Sequence, residues 1–153
     1  MKARSIGKTI APAMMLAFLA ACATGPRFQS TEEAPVGGGQ VYVYRPTALI
    51  GGVVVHKVTI DGRAETLNLP NGSWMRLPLP PGAHTIAIST YVNLSVVSCG
   101  AVQIDLRPGQ TAFVANIRPS TQALNRVYVG CAVVSKSRDE ALNEMANLSG
   151  AGS

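Results

Sequence analysis

Histidine and carboxylate side chains are the first candidates for acid–base or metal chemistry, and this chain offers few of them. Its 153 residues include two histidines, His56 and His84, and eight Asp and Glu residues. The histidines do not have the spacing of a metal-binding pair, and the carboxylates show no pairing typical of a general acid and base. We interpret His84, which follows Pro80-Pro81-Gly82-Ala83, as a residue that packs beside a turn. The sequence therefore predicts no enzyme, no metal site and no cofactor.

Cys22 is the next candidate for chemistry, because its thiol stands at the end of a secretion signal. Residues 1–8 carry three basic side chains and no acidic one, and residues 10–21 are apolar except at Pro12. This pattern is typical of a signal peptide. The apolar run is too short to cross a bilayer, which takes about 20 residues. We therefore expect residues 1–21 to be removed.

The four residues Leu19, Ala20, Ala21 and Cys22 resemble the lipobox of bacterial lipoproteins. The resemblance implies cleavage before Cys22, diacylglycerol on its sulfur and an acylated amino terminus. Ala23 follows the cysteine where an acidic residue would favour retention at the inner membrane, so the resemblance implies the outer membrane. We expect the domain on the periplasmic face of that membrane, and its outer surface is the alternative. The alternative is an ordinary signal peptide that is cleaved elsewhere, with Cys22 unmodified.

Two cysteines, Cys99 and Cys131, remain in the mature chain, and both lie in strand-like runs. An even pair in an exported protein predicts a disulfide, which would join two β segments. The alternative is a pair of reduced cysteines that are buried as small apolar residues.

The charge of the mature chain excludes a nucleic-acid-binding function. Of 13 Lys and Arg residues, three belong to the signal, which leaves ten against eight acidic residues and a net charge of +2. No dense basic run is present to attract a phosphate backbone.

Three regions follow from these signals: a signal peptide at 1–21, a flexible tether at 22–39 and a domain at 40–150. The tether is rich in Thr, Gly, Pro and Ser, and its 17 or so residues would reach about 20 to 25 Å. We expect its two acidic residues, Glu32 and Glu33, to be solvated. The rest is long enough for one domain with a core.

Short strand-like segments with period-two alternation and frequent Gly and Pro turns predict a mainly β fold, an antiparallel sandwich or open barrel. The segments are 41–44, 53–60, 67–69, 74–79, 84–91, 102–106, 111–117 and 127–134. One helix is predicted at 138–149, with Ser137 and Glu140 as a capping box and Gly150 past its end. Its narrow apolar stripe indicates packing on the sheet, with a partner-binding helix as the alternative.

Several turn and strand motifs together resemble the family catalogued as domain of unknown function 2846. The motifs are Val41-Tyr42-Val43-Tyr44-Arg45-Pro46, Val58-Thr59-Ile60-Asp61-Gly62, Leu69-Pro70-Asn71-Gly72-Ser73-Trp74, Leu79-Pro80-Pro81-Gly82 and Arg107-Pro108-Gly109-Gln110-Thr111. The resemblance implies a small bacterial lipoprotein with a β-sandwich like those of PEGA-type modules. It implies no ligand and no site.

Two functions agree with these observations. The first is a non-catalytic structural or binding lipoprotein that contacts peptidoglycan, a glycan or an envelope protein, with Trp74 and Tyr91 as the candidate stacking surface among the aromatic residues. The alternative role for these rings is to fill the core. The second function is an inhibitor or accessory subunit that blocks a lytic enzyme with a polar loop, at 93–100 or 119–125.

Overall fold

The computed structural model describes residues 25–49, 52–63, 66–123 and 126–151, and the predicted signal peptide and Cys22 lie outside them. The strands are β1 (Gly39–Arg45), β2 (His56–Ile60), β3 (Leu67–Leu69), β4 (Ser73–Leu79), β5 (Gly82–Val92), β6 (Ser95–Leu106), β7 (Thr111–Ile117), β8 (Ser120–Ala123), β9 (Arg126–Val129), β10 (Ala132–Lys136) and β11 (Ser149–Gly150). The helix is α1 (Arg138–Met145).

The strands form two packed sheets and a separate hairpin. One sheet has the order β10-β7-β1-β4-β11, the other has the order β3-β2-β5-β6, and β8 pairs with β9. The prediction of a mainly β sandwich with a C-terminal helix is confirmed. The prediction of antiparallel pairing is wrong at two places, because β1 pairs with β7 and β4 with β11 in parallel.

The core between the sheets consists of the inward-facing residues of both. Val41 and Val43 of β1 meet Ile86 and Ile88 of β5 there, and all four are buried. The period-two pattern of β5 therefore marks its buried face correctly. Because each buried Val or Ile side chain contributes about 1.5 to 3 kcal/mol, this layer is a main source of stability.

The outer face of the five-stranded sheet is also covered, by α1 and by the chain that precedes β1. Tyr42, Tyr44 and Phe113 point to this face and pack with Met145 and Leu148. Since β1 is buried on both faces, its central residues 41–44 are Val and Tyr, with no charged residue among them. The apolar stripe of α1 packs on the parent sheet, as predicted.

The helix begins as predicted but ends early. Ser137 and Glu140 form the reciprocal capping box. The predicted range of 138–149 is wrong at its end, because α1 stops at Met145. The chain then leaves the helix axis so that Ser149 and Gly150 can pair with β4.

The expected flexible tether is wrong for residues 26–33, which lie along the five-stranded sheet. Phe28 is 7% exposed, and its amide N–H donates to the carbonyl of Leu148 at 2.9 Å. Glu32 pairs with Arg76, and its amide N–H donates to the Tyr42 hydroxyl at 2.9 Å. A single buried aromatic ring and one ion pair thus order a segment whose composition predicts mobility.

The sandwich has two ends. At the end that we call the entry end, Arg45 pairs with Ser73, and Cys131 directly precedes β10. At the opposite end, which we call the far end, Gly39 pairs with Leu79 and lies beside Leu106. The strands of both sheets run between these two ends.

Candidate functional site

Cys99 and Cys131 form the predicted disulfide, with Cα atoms 4.9 Å apart. Cys99 belongs to β6 in the four-stranded sheet, and Cys131 precedes the edge strand of the five-stranded sheet. The bond therefore fastens the two sheets to each other at the entry end.

Trp74 and Tyr91, the candidate stacking pair, are not brought together. Trp74 lies on β4, where its half-buried ring meets Phe28 at 5.5 Å and Tyr42 at 5.9 Å between ring centroids. Tyr91 lies on β5 in the other sheet and is 53% exposed. Trp74 thus fills the outer layer of the sandwich, as the alternative held, whereas the Tyr91 ring is open to a partner.

The two segments expected to be polar loops are largely hairpin strands. Residues 95–100 belong to β6, and Asn93 and Leu94 form a tight turn with positive φ at both residues. This is the backbone of a two-residue hairpin turn. In the second segment, residues 120–123 form β8, which pairs with β9. The prediction of polar loops is wrong because both segments pair locally.

His84 has the structural place that the turn pattern predicts. Its Nδ1 lies 2.9 Å from Oδ2 of Asp61, and its Nε2 lies 2.8 Å from the carbonyl oxygen of Pro80. The bond with Asp61 raises the pKa of His84, and the same bond lowers the pKa of Asp61. The pair joins the two turns at the far end.

A polar cluster lies at the entry end, and the sequence patterns did not predict it. Arg45 is 1% exposed and donates from Nη1 to the carbonyl oxygen of Val54 at 2.5 Å. Behind it, Nδ1 of buried His56 lies 2.7 Å from Oδ1 of Asn116. The signal was present in the alternation of β1, because Arg45 follows Val41 and Val43 on the inward face.

Burial and like charge set the protonation of this cluster. Burial, and to a smaller extent the positive charge of Arg118, lowers the pKa of Arg45 to about 10. Burial also lowers the pKa of His56 to about 4, with the charge of Arg45 as the next cause. At neutral pH, His56 is therefore a neutral ring beside two guanidinium groups.

A cavity of about 450 Å³ opens beside this cluster. Its lining residues are Arg45, Pro46, Thr47, Ala48, Asn116, Ile117, Arg118 and Glu144. Glu144 accepts from the Tyr44 hydroxyl and from Nζ of Lys136, both at 2.8 Å, and Nδ2 of Asn116 has no hydrogen-bond partner among the described residues. Guanidinium and amide donors that converge on one cavity suit an oxyanion, either a carboxylate or a phosphate.

Known proteins point to no site in this chain. No protein-family model matches this chain, and no curated protein sequence matches it.

Within the described ranges, no three His, Cys, Asp or Glu side chains are grouped so that they could hold a metal ion. In the same part of the chain, no helix has the length and apolar character needed to cross a bilayer.

Proposed function

We propose that this chain is a lipid-anchored, non-catalytic binding module of the bacterial outer membrane. The basic and apolar leader, the lipobox-like residues and Cys22 support the anchor. The disulfide between Cys99 and Cys131 supports an oxidising compartment such as the periplasm, because cytosolic disulfides are rare.

The cavity at the entry end is the proposed binding site, and its ligand is an oxyanion. The observation that carries this proposal is the meeting of Arg45 and Arg118 at one cavity, where the charge of Arg118 acts on buried Arg45. An anion bound there would accept hydrogen bonds from donor groups that line the cavity. Preorganised donors lower the ordering cost of binding.

A titration with inorganic phosphate and with acetate, followed by NMR chemical shifts, tests the site. We expect saturable shifts at residues that line the cavity. Replacement of Arg118 by Gln should weaken binding about tenfold or more, since a hydrogen bond to a charged group contributes about 1.5 to 3 kcal/mol. Arg107→Gln at the far end is the matched control and should bind normally. Equal binding by both variants would refute the site.

The source of the oxyanion is identified with two further probes. Purified peptidoglycan sacculi present carboxylates, and vesicles of phosphatidylglycerol present phosphates. If the protein is retained by only one of these two probes, and if Arg118→Gln abolishes that retention, the probe identifies the source of the oxyanion.

The anchor is tested separately. Incorporation of labelled palmitate into the wild-type chain, and its loss in Cys22→Ser, is the expected result. A mature protein whose mass shows an unmodified Cys22 would overturn the anchor.

A further inference from the structure

Several large apolar side chains are exposed around the entry end. The β5–β6 hairpin exposes Leu94 completely, at 100%, and the loop between β1 and β2 exposes Leu49 at 99%. We call the exposed side chains at this end the apolar rim, which consists of Leu49, Val53, Val55, Tyr91, Val92, Leu94, Val96 and Val97. Contiguous exposed apolar surface marks a site of contact with a protein or a membrane.

The two segments that carry the rim also lack charge. Residues 46–55 and 85–104 contain no Asp, Glu, Lys or Arg. Exposed edge strands and hairpins in water are normally protected by charged side chains. The composition of the rim is therefore that of a surface that is covered in the working protein.

Both segments lie at the same end of the sandwich. The disulfide fixes Cys99 beside Cys131 at the entry end, and the hairpin tip continues beyond Cys99. All four residues from Ser95 to Ser98 are exposed, so this part of β6 projects past the packed sheets. The contact between Arg45 and the carbonyl of Val54 holds the other segment at this end.

The described chain also begins at the entry end. The carbonyl of Pro26 accepts from the amide N–H of Gly150 at 2.8 Å, and Gly150 pairs with Trp74 at the start of β4. Cys22 precedes Gly25 by three residues in the sequence. Three residues span at most about 10 Å, even when fully extended. A lipid on Cys22 would therefore hold this end close to the bilayer.

We infer that the entry end lies against the bilayer surface and that the apolar rim inserts into the lipid interface. This inference rests on the proposed lipid anchor. Tyr91 suits the boundary between headgroups and acyl chains, because its ring is apolar and its hydroxyl is polar. The exposed cation of Arg27, two residues after Gly25, suits the anionic headgroups at the edge of the contact. The acyl chains and the rim together make two attachments, and they fix the orientation of the domain.

A fluorescence experiment on the lipidated full-length protein tests the inference. An environment-sensitive fluorophore is attached to Leu94→Cys, with the native disulfide left oxidised, and the protein is reconstituted into vesicles of phosphatidylethanolamine and phosphatidylglycerol. The matched control is Val36→Cys, because Val36 is equally exposed but lies beside Gly38 at the far end. For the label at position 94, we expect a blue shift of its fluorescence and quenching by lipids brominated on their acyl chains. The label at position 36 should show neither effect.

Three results would overturn the inference. An acylated protein whose two labels both report water would refute the rim contact and leave the anchor intact. The label at 94 could instead show a blue shift that grows with the amount of protein per vesicle, without quenching by the brominated lipids. This result would show that a second copy of the protein covers the rim. An intact mass without acyl chains on Cys22 would remove the anchor and the inference together.

Discussion

The buried imidazole of His56 should make the protein lose stability in mild acid. Burial and the charge of Arg45 lower its pKa from 6.5 to about 4 in the folded state. The unfolded chain therefore takes up this proton first as the pH falls below 6.5. The contribution of neutral His56 to stability is complete above pH 6.5 and is lost between that value and about 4.

The size of the loss follows from the two pKa values. One unit of difference corresponds to about 1.4 kcal/mol, so a fall from 6.5 to about 4 gives a loss of about 3 kcal/mol. This is a large fraction of the 5 to 15 kcal/mol typical of a small domain. His84 acts in another range, because its pKa is raised and its contribution is lost as the pH rises above 6.5.

Urea unfolding followed by Trp74 fluorescence, with the disulfide oxidised, measures the effect at a series of pH values. His56→Gln keeps a polar group near Asn116 but should lack the acid-dependent loss that the wild type shows. His84→Gln is the control and should show the same acid-dependent loss of stability as the wild type. If the His56→Gln variant loses as much stability in this range as the wild type, the assignment to His56 is refuted, whatever the absolute stability of the variant.

Two further predictions concern the contacts that close the sandwich. Replacing both Cys99 and Cys131 by Ser should lower the free energy of unfolding by about 3 to 4 kcal/mol, because the bond spans 32 residues; a change below about 1 kcal/mol in urea unfolding would contradict this. Phe28→Ala should cost about 3 kcal/mol in the same assay, because the ring packs in the outer layer. The control Val36→Ala should stay within about 0.5 kcal/mol, and equal values for the two variants would show that the segment before β1 contributes nothing.

Local signals in the sequence predicted much of the fold. The alternation in β5, the turns that contain Gly and Pro and the capping box at Ser137 each depend on neighbouring residues, and each is present. The disulfide was predicted from the even number of cysteines left after Cys22 in an exported chain. The spacing alone could not have fixed its place between the two sheets.

Features that depend on distant contacts were missed. Phe28 stands alone in a segment rich in Gly, Pro and Ser, and only the ring surfaces of Tyr42 and Trp74 explain its burial. The parallel pairing of β1 with β7 joins segments about 70 residues apart, which no local pattern encodes. The cavity at the entry end needed both Arg45 and Arg118, which come from these two strands or just after them.

The central position of β1 has a consequence for the order of folding. Its two neighbours are β4 and β7, and the bridge between Arg27 and Ser149 joins the first and last parts of the described chain. A nascent chain that ends before residue 111 thus lacks β7, which is one of the two strands that pair with β1. Because long-range pairing slows folding, a chain of this topology stays unfolded for longer during its synthesis. If the proposed signal peptide directs export, this delay favours passage through a translocation channel before the sheets can close.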